Sequence, residues 1–201
     1  MFLFDNGIDM GSLDDFIEAG KRMDNPTFLE LGTKRWKLDI STKHDAWVPN
    51  AGKRIGTDIL PGIDVDVVAD VHRLSDAFGQ ESIDIVITCS TFEHFKYPFL
   101  AAHEIMKTLK IGGILFIQTH HTFPLHAYPH DYFRFSKEAL AALFGSRMGF
   151  NVINTEYLFP AEIHSRRDPN ASRHPAYLNV HLFGRKIRAT PSEYCFELDS
   201  P

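Results

Sequence analysis

The sequence predicts an α/β fold built on an open, mostly parallel sheet. Short apolar strands alternate with amphipathic helices along the chain, the order that parallel α/β sheets produce. One strand, "IDIVITCS", is β-branched and continuously apolar, as a strand covered on both faces must be. Acidic residues stand at the ends of three strands, where such sheets bind their ligands.

Taken in order, Ser12 opens a short helix with Leu13, Phe16 and Ile17 on one face, and Ser12 with Asp15 resembles a capping box. Gly20 and Asn25-Pro26 end it. "TFLEL", "KRIGTDI", "DVDVVAD" and "IDIVITCS" are the first four strands. "PFLAAHEIMKTLK" is a helix with Ala102, Ile105, Met106 and Leu109 inward and His103 on its polar, solvent side. Gly112-Gly113 stops that helix and "ILFIQTH" is the fifth strand. Ser136 caps the helix "SKEALAALF". "FNVINTEYLF" and "YLNVHLFGRKI" are the last two strands, joined by the polar "HSRRDPNASRHP". The piece out of pattern is "HTFPLHAYPHDYFRF", a long loop rich in His and aromatics; long irregular loops in compact domains are often functional.

The 201 residues suit a single domain, 1–201, with an N-terminal helical extension over 1–26, a loop over 120–135 and a C-terminal strand pair over 150–188. A net charge of −5 argues against a nucleic acid as the main partner, because such binders carry basic patches. Two distant cysteines, Cys89 and Cys195, form no disulfide framework or zinc ribbon and fit a reducing, cytoplasmic setting. The N-terminus has no basic segment ahead of an apolar run, so no signal peptide is expected, and no stretch is apolar for the length of a membrane span.

"FLELG" reads as a buried strand running into a nucleotide-binding turn, but Gly32 is followed by Thr33, Lys34 and Arg35 rather than more glycine. A dinucleotide needs several glycines, since its pyrophosphate lies against bare backbone at a helix N-terminus. A nucleoside without phosphates does not. Asp58, ending the second strand, is placed to accept both ribose hydroxyls. Asp70, ending the third, is placed to accept from an adenine amino group.

With "GTDILPGIDVDVVADVHRL", "IDIVITCSTFEHF", "AAHEIMKTLKIGGILFIQTH" and "FPLHAYPHDYFRFSKEAL", these residues span about 27 to 144, and the chain resembles the class I S-adenosylmethionine-dependent methyltransferases. "D-x-x-P-G-x-D-V-x-x-D-x-H" together with "H-x-Y-P-x-D-Y-x-R-F" is similar to a bacterial subgroup associated with glycan or lipopolysaccharide assembly. The resemblance implies a Rossmann-like seven-stranded sheet with helices on both faces and the last strand antiparallel. It implies S-adenosylmethionine as cofactor, with Glu30, Gly32 and Thr33 around the methionine part, Asp58 and Ile59 at the ribose, and Asp70 and Val71 at the adenine. The turn from Cys89 through Ser90 to Thr91 would face the sulfonium. The chain departs from the family in its single glycine and in Ile111 where proline is usual; with the glycines gone, Lys34 or Arg35 is left to pair with the methionine carboxylate.

A methyl group on a sulfonium is already activated, so the protein's task is alignment. A hydroxyl acceptor also needs a base, for which His94, His121 and Asp131 are the candidates, with Arg134 as a clamp for substrate or a partner for Asp131. The expected acceptor is a small-molecule or glycan-linked hydroxyl held by the loop from His120 to Phe135. Glu93, His94, His121 and His126 have metal-donor chemistry, but their spacing fits no designed site, so no metal is expected. The alternative is a non-catalytic S-adenosylmethionine-binding subunit or sensor. A nicotinamide dehydrogenase is disfavoured by the lost glycines.

Overall fold

The structure, a computed structural model, describes residues 11–37, 39–41, 43–164 and 174–194. Its centre is a seven-stranded sheet: β1 (Thr27–Leu31), β2 (Lys53–Asp58), β3 (Val67–Val68), β4 (Ile83–Cys89), β5 (Leu109–His120), β6 (Phe150–Ile163) and β7 (His174–Lys186). The order across the sheet is β3-β2-β1-β4-β5-β7-β6. The first five strands run parallel, and β7 enters antiparallel between β5 and β6. The expected architecture, last strand included, is present.

The period-2 pattern of the strands distributes the core to both faces. Leu29 and Leu31 of β1 face one layer with α2 (Leu74–Phe78), α3 (Pro98–Thr108) and α4 (Lys137–Leu143), while Phe28 faces the other. That second layer has one helix, α1 (Gly11–Lys21), whose Leu13 and Phe16 pack on Phe116 and Phe183. The rest of it is the irregular chain after β1, where Trp47, Val48 and Ala51 cover Phe28 and Ile85. Between β1 and β2 the described residues form no α-helix, only a single 3-10 turn at Asp45–Trp47. The described residues after β1 therefore offer no α-helix N-terminus at Gly32 for a pyrophosphate.

Several local expectations change. The third strand is two residues long, because Asp64 and Asp66 are drawn back to β1 and β2: Asp64 by Arg35, and Asp66 by the Gly56 N–H, which donates to it at 2.7 Å. The helix α2 was not expected. Gly112-Gly113 does not stop α3, which ends at Thr108, where the hydroxyl donates to Glu104 O; both glycines lie inside β5. Lys186, fully buried, donates its ammonium to Met106 O and Leu109 O and so satisfies the carbonyls at the end of α3. His103 is 4 % exposed rather than solvated, since the chain after β7 folds over it and Pro191 O accepts from its Nε2 at 2.9 Å. The first ten residues of the N-terminal extension, residues 165–173 of the polar connector and Cys195 lie outside the described residues. No described helix is long and apolar enough to cross a membrane.

Candidate functional site

The parallel strands deliver their C-terminal ends to one edge of the sheet, and the residues singled out from the sequence gather there in two groups. The first lies at β1 and β2. Glu30 is buried at the end of β1, where both its oxygens are taken: Oε2 accepts from the His44 N–H at 3.0 Å, and Oε1 lies 2.7 Å from His44 Nδ1. No sequence pattern marks His44, which arrives from fourteen residues away along a segment without regular period. Gly32 has a φ of +80°, a conformation that favours glycine. A side chain there would overlap Thr91, whose own hydroxyl donates to Cys89 O at 3.0 Å. Gly32 is thus required first by a neighbouring loop of the protein itself. Thr33 is fully buried and donates to Asp64 O at 2.7 Å, which turns its side chain toward the loop after β2.

Arg35 pairs with Asp64 at 2.6 Å, which raises the arginine and lowers the carboxyl from their ordinary values. Lys34 lies exposed along Gly62, and of the two cations it is the one placed beside the strand end. Asp58 accepts from the backbone of Lys34 at 3.3 Å and of Leu60 at 3.0 Å. These bonds fix the carboxylate at the mouth of the β1–β2 turn, and it keeps lone pairs for further donors. Beside it Ile59 is 61 % exposed, and Leu60 and Ile63 are also exposed, an apolar rim next to an acid. Asp70 caps the 3-10 turn Val71–Arg73, accepting from the His72 N–H at 2.9 Å and standing 2.6 Å from His72 Nδ1. Burial alone would raise its carboxyl, but His72 outweighs it and the net shift is downward. Val71 behind it is buried.

The second group lies at β4 and β5. Cys89 ends β4 with its thiol pushed well above the usual range, by burial first and then by Glu30 and Glu93. A protonated thiol is a poor nucleophile. Ser90 follows with a φ of +49°, and Thr91 leads into a 3-10 turn, Phe92–His94. That turn carries Glu93 into the protein, where it is 0 % exposed. Its Oε2 accepts from the Thr119 hydroxyl at 2.7 Å. Around Oε1 stand three imidazoles: His120 Nε2 at 3.0 Å, His94 Nε2 at 3.7 Å and His126 Nε2 at 3.7 Å. His120 is close enough to pair but out of hydrogen-bonding line, so Oε1 has no donor among the described residues. Burial would raise this carboxyl; His120 and Thr119 hold it below its ordinary value.

The loop from His120 to Phe135 closes over this cluster. Its ends are tied by the Phe135 N–H to His120 O at 2.9 Å, and the N–H groups of Tyr132 and Phe133 donate to Glu93 O, the form of a compact Ω-loop. Arg134 forks onto Asp131 at 2.6 and 2.8 Å and also donates to Phe123 O, Pro124 O and Phe133 O. Its guanidinium is raised and the Asp131 carboxyl strongly lowered by that pairing. The geometry engages this pair in holding the loop. Asp131 also accepts from the His126 N–H at 2.9 Å. His121 points elsewhere: its Nδ1 bonds Phe135 O at 2.8 Å and its ring lies 4.6 Å from Tyr157. Of the histidines named from the sequence, His94 and His126 meet Glu93, His121 does not, and His120 takes its place. At the tip Leu125 and Tyr128 are 89 % and 95 % exposed.

Residues 25–117, just under half of the chain, match the family profile described as a methyltransferase domain. No curated protein matches the sequence significantly. Among solved structures, an S-adenosylmethionine-dependent methyltransferase from Archaeoglobus fulgidus superposes with a TM-score of 0.62 at 15% identity, covering 87% of this chain and 91% of its own. The 1,6-didemethyltoxoflavin-N1-methyltransferase of Burkholderia thailandensis, bound to its substrate and S-adenosylhomocysteine, gives 0.58 at 14%, covering 90% and 79%. An S-adenosylmethionine-dependent methyltransferase from Mesorhizobium loti gives 0.58 at 13%, covering 89% and 100%. At these identities the likeness is one of fold. With the domain match it supports an enzyme of methyl transfer that takes S-adenosylmethionine.

Proposed function

We propose that this methyltransferase domain moves the methyl group of S-adenosylmethionine to a hydroxyl of a small-molecule or glycan-linked acceptor seated under the loop 120–135. One observation carries the reading. The carboxylates of Glu30 and Asp58 and the Glu93 cluster with its imidazoles lie at the same sheet edge, and the Cys89–Thr91 turn lies between them. In this reading Asp58 takes the ribose, with Ile59 beside it, and Asp70 and Val71 border the adenine. Glu30, Gly32 and Lys34 border the methionine end, and Ser90 the sulfonium. Thr33 and Arg35 hold the loop that shapes the pocket.

The transfer breaks the carbon–sulfur bond and forms a carbon–oxygen bond, and the hydroxyl proton leaves to a base. His94 is placed for this: its Nδ1 donates to His130 O at 2.7 Å, which leaves Nε2 as the basic atom at the cluster. His126 is the second candidate of the same geometry. Asp131, whose carboxyl Arg134 holds far below the usual carboxylate range, is a weak base and acts by setting the loop. The exposed rings of Phe123, Tyr128 and Tyr132 suit a sugar or a small ring. The bacterial glycan and lipopolysaccharide subgroup is the class of acceptor to assay first.

A non-catalytic binding subunit is the second reading, favoured by one feature, the Thr91 side chain lying over Gly32 where a glycine turn would otherwise stand open. Two experiments test the proposal. Asp58→Ala, in a folded chain, is expected to weaken S-adenosylhomocysteine by about 1.5–3 kcal/mol in titration calorimetry, as for a lost hydrogen bond to a charged group; unchanged affinity removes the ribose assignment. His94→Ala is expected to lower turnover by about 100-fold or more with cofactor affinity intact. Cofactor binding without methyl transfer to any hydroxyl acceptor would favour the binding-subunit reading.

A further inference from the structure

We infer that Glu93 Oε1, His94 Nε2 and His126 Nε2 form a site for a divalent transition cation of the zinc, manganese or iron type. The three atoms lie within 4.8 Å of one another. Each histidine is set for this by its other ring nitrogen: His94 Nδ1 donates to His130 O at 2.7 Å and His126 Nδ1 to Pro124 O at 3.2 Å. A backbone carbonyl on Nδ1 places the proton there and presents the Nε2 lone pair, the arrangement that orients metal-bound histidines. Both lone pairs then face a fully buried carboxylate oxygen that has no hydrogen-bond donor among the described residues. His120 Nε2 stands 3.0 Å from the same oxygen but out of line, and acceptors crowded together with no aligned donor repel one another in a medium of low polarity. A cation between them removes that cost.

The distances fit. Donors bound to a common ion at about 2.1 Å stand about 3.4 Å apart at a tetrahedral angle, and both imidazole nitrogens are 3.7 Å from Oε1. Two imidazoles with one carboxylate favour a borderline ion over magnesium or calcium, which prefer oxygen. The outer shell is also present: Thr119 holds Glu93 Oε2, and Asp131, fixed by Arg134, holds the His126 backbone. Three protein donors leave positions open for water or an acceptor oxygen, as catalytic zinc sites do. This last step rests on the methyltransferase reading: a hydroxyl held at the open position would lose its proton more readily, and with both imidazoles on the ion that proton would pass to solvent water, so the cation would activate the acceptor in place of a bare imidazole. The inference reverses the expectation of no metal drawn from spacing. Sequence spacing does not show this grouping, because His126 reaches it through the fold of an Ω-loop.

The test is metal binding, which needs no acceptor. Tag-free protein stripped with a chelator is titrated with zinc, and separately with cobalt followed by its visible absorption, with magnesium as control. One ion per chain is expected, bound in the micromolar range or tighter, with His94→Ala and His126→Ala each weakening it at least 100-fold and His121→Ala leaving it unchanged. Circular dichroism checks that each variant folds, and His94→Gln replaces the alanine variant if it does not. No cobalt or zinc bound by the wild-type chain, or equal binding by the His94 and His126 variants, overturns the site. A chain that binds the ion through these residues yet transfers no methyl group leaves the site standing and defeats the enzyme reading instead.

Discussion

Two clusters of histidine and glutamate sit one pleat apart on the same pair of strands, and they are put together in opposite ways. Gln118 of β5 pairs with His181 of β7, and His120 pairs with Asn179 on the same face. Around the first pair the groups are matched. The Ser12 N–H donates to Glu156 Oε1 at 2.7 Å, the Ser12 hydroxyl donates to the same oxygen, and the His181 ring bridges from Ser12 to Gln118. Around the second pair Glu93 Oε1 meets three imidazoles and no aligned donor. The matched cluster fastens the start of α1 to the sheet. The mismatched one leaves a buried carboxylate oxygen without an aligned donor, the feature from which the cation site is inferred.

The largest effect expected is therefore a difference between two glutamates. Glu156→Ala strips α1 of its anion and leaves two donors without their acceptor. It should cost about 2–3 kcal/mol in urea unfolding, as for hydrogen bonds to a charged group near a helix N-terminus. Glu93→Gln, in metal-free protein, should cost clearly less, because the amide supplies a donor to the His94 and His126 lone pairs and so offsets part of the charge interaction with His120 and Thr119 that it gives up. Equal losses from the two changes would make Glu93 an ordinary structural partner of His120, and the distinction between the clusters would fall.

The matched cluster also predicts a pH response. Burial pushes His181 down to about 3, so the ring is neutral in the folded chain. The unfolded chain takes up that proton below its ordinary pKa of about 6.5. Stability from this group is therefore whole above pH about 6.5 and falls as the pH drops from there toward 3, by about 1.4 kcal/mol per unit. Between pH 7.5 and pH 5 the loss from His181 comes to about 2 kcal/mol. Other carboxylates held low in the fold, Glu93 among them, add their own acid sensitivity, so the measurement is a difference. His181→Gln should show a fall in unfolding free energy over that interval smaller than wild type by about this amount. An unchanged slope would place a charge on His181 in the fold.

What could be read in the sequence followed local rules. The strands, the helix behind Ser136 and the acids at the strand ends obey period and capping, and the resemblance supplied the antiparallel last strand. What could not be read depends on partners far along the chain. Glu30 is met by His44, Ser12 by Glu156 from 144 residues away, and Gly32 by Thr91. The choice of His121 over His120 was a matter of register. Neighbours at the end of a strand point to opposite sides, and only the pairing of His120 with Asn179 decides which one faces Glu93. The loop 120–135 was legible as an odd length of polar and aromatic chain, but its closure by Arg134 onto Asp131 and three carbonyls was not.

The smallest effect separates the two readings of Ser12. As a capping box, Ser12 and Asp15 would share the start of α1, and removing either would cost a similar amount. In the structure Ser12 is buried inside the helix and bonded to Glu156, while Asp15 is exposed. Ser12→Ala removes the hydroxyl donor but keeps the backbone N–H on Glu156, so about 1 kcal/mol should be lost. Asp15→Ala should stay within about 0.5 kcal/mol of wild type, as surface changes do. Because Glu156 anchors the first of these and not the second, Ser12→Ala should cost much less in a Glu156→Gln background, and Asp15→Ala should not change. Equal losses at Ser12 and Asp15, additive with Glu156→Gln, would return α1 to a helix capped by its own sequence and leave the matched cluster without its anchor.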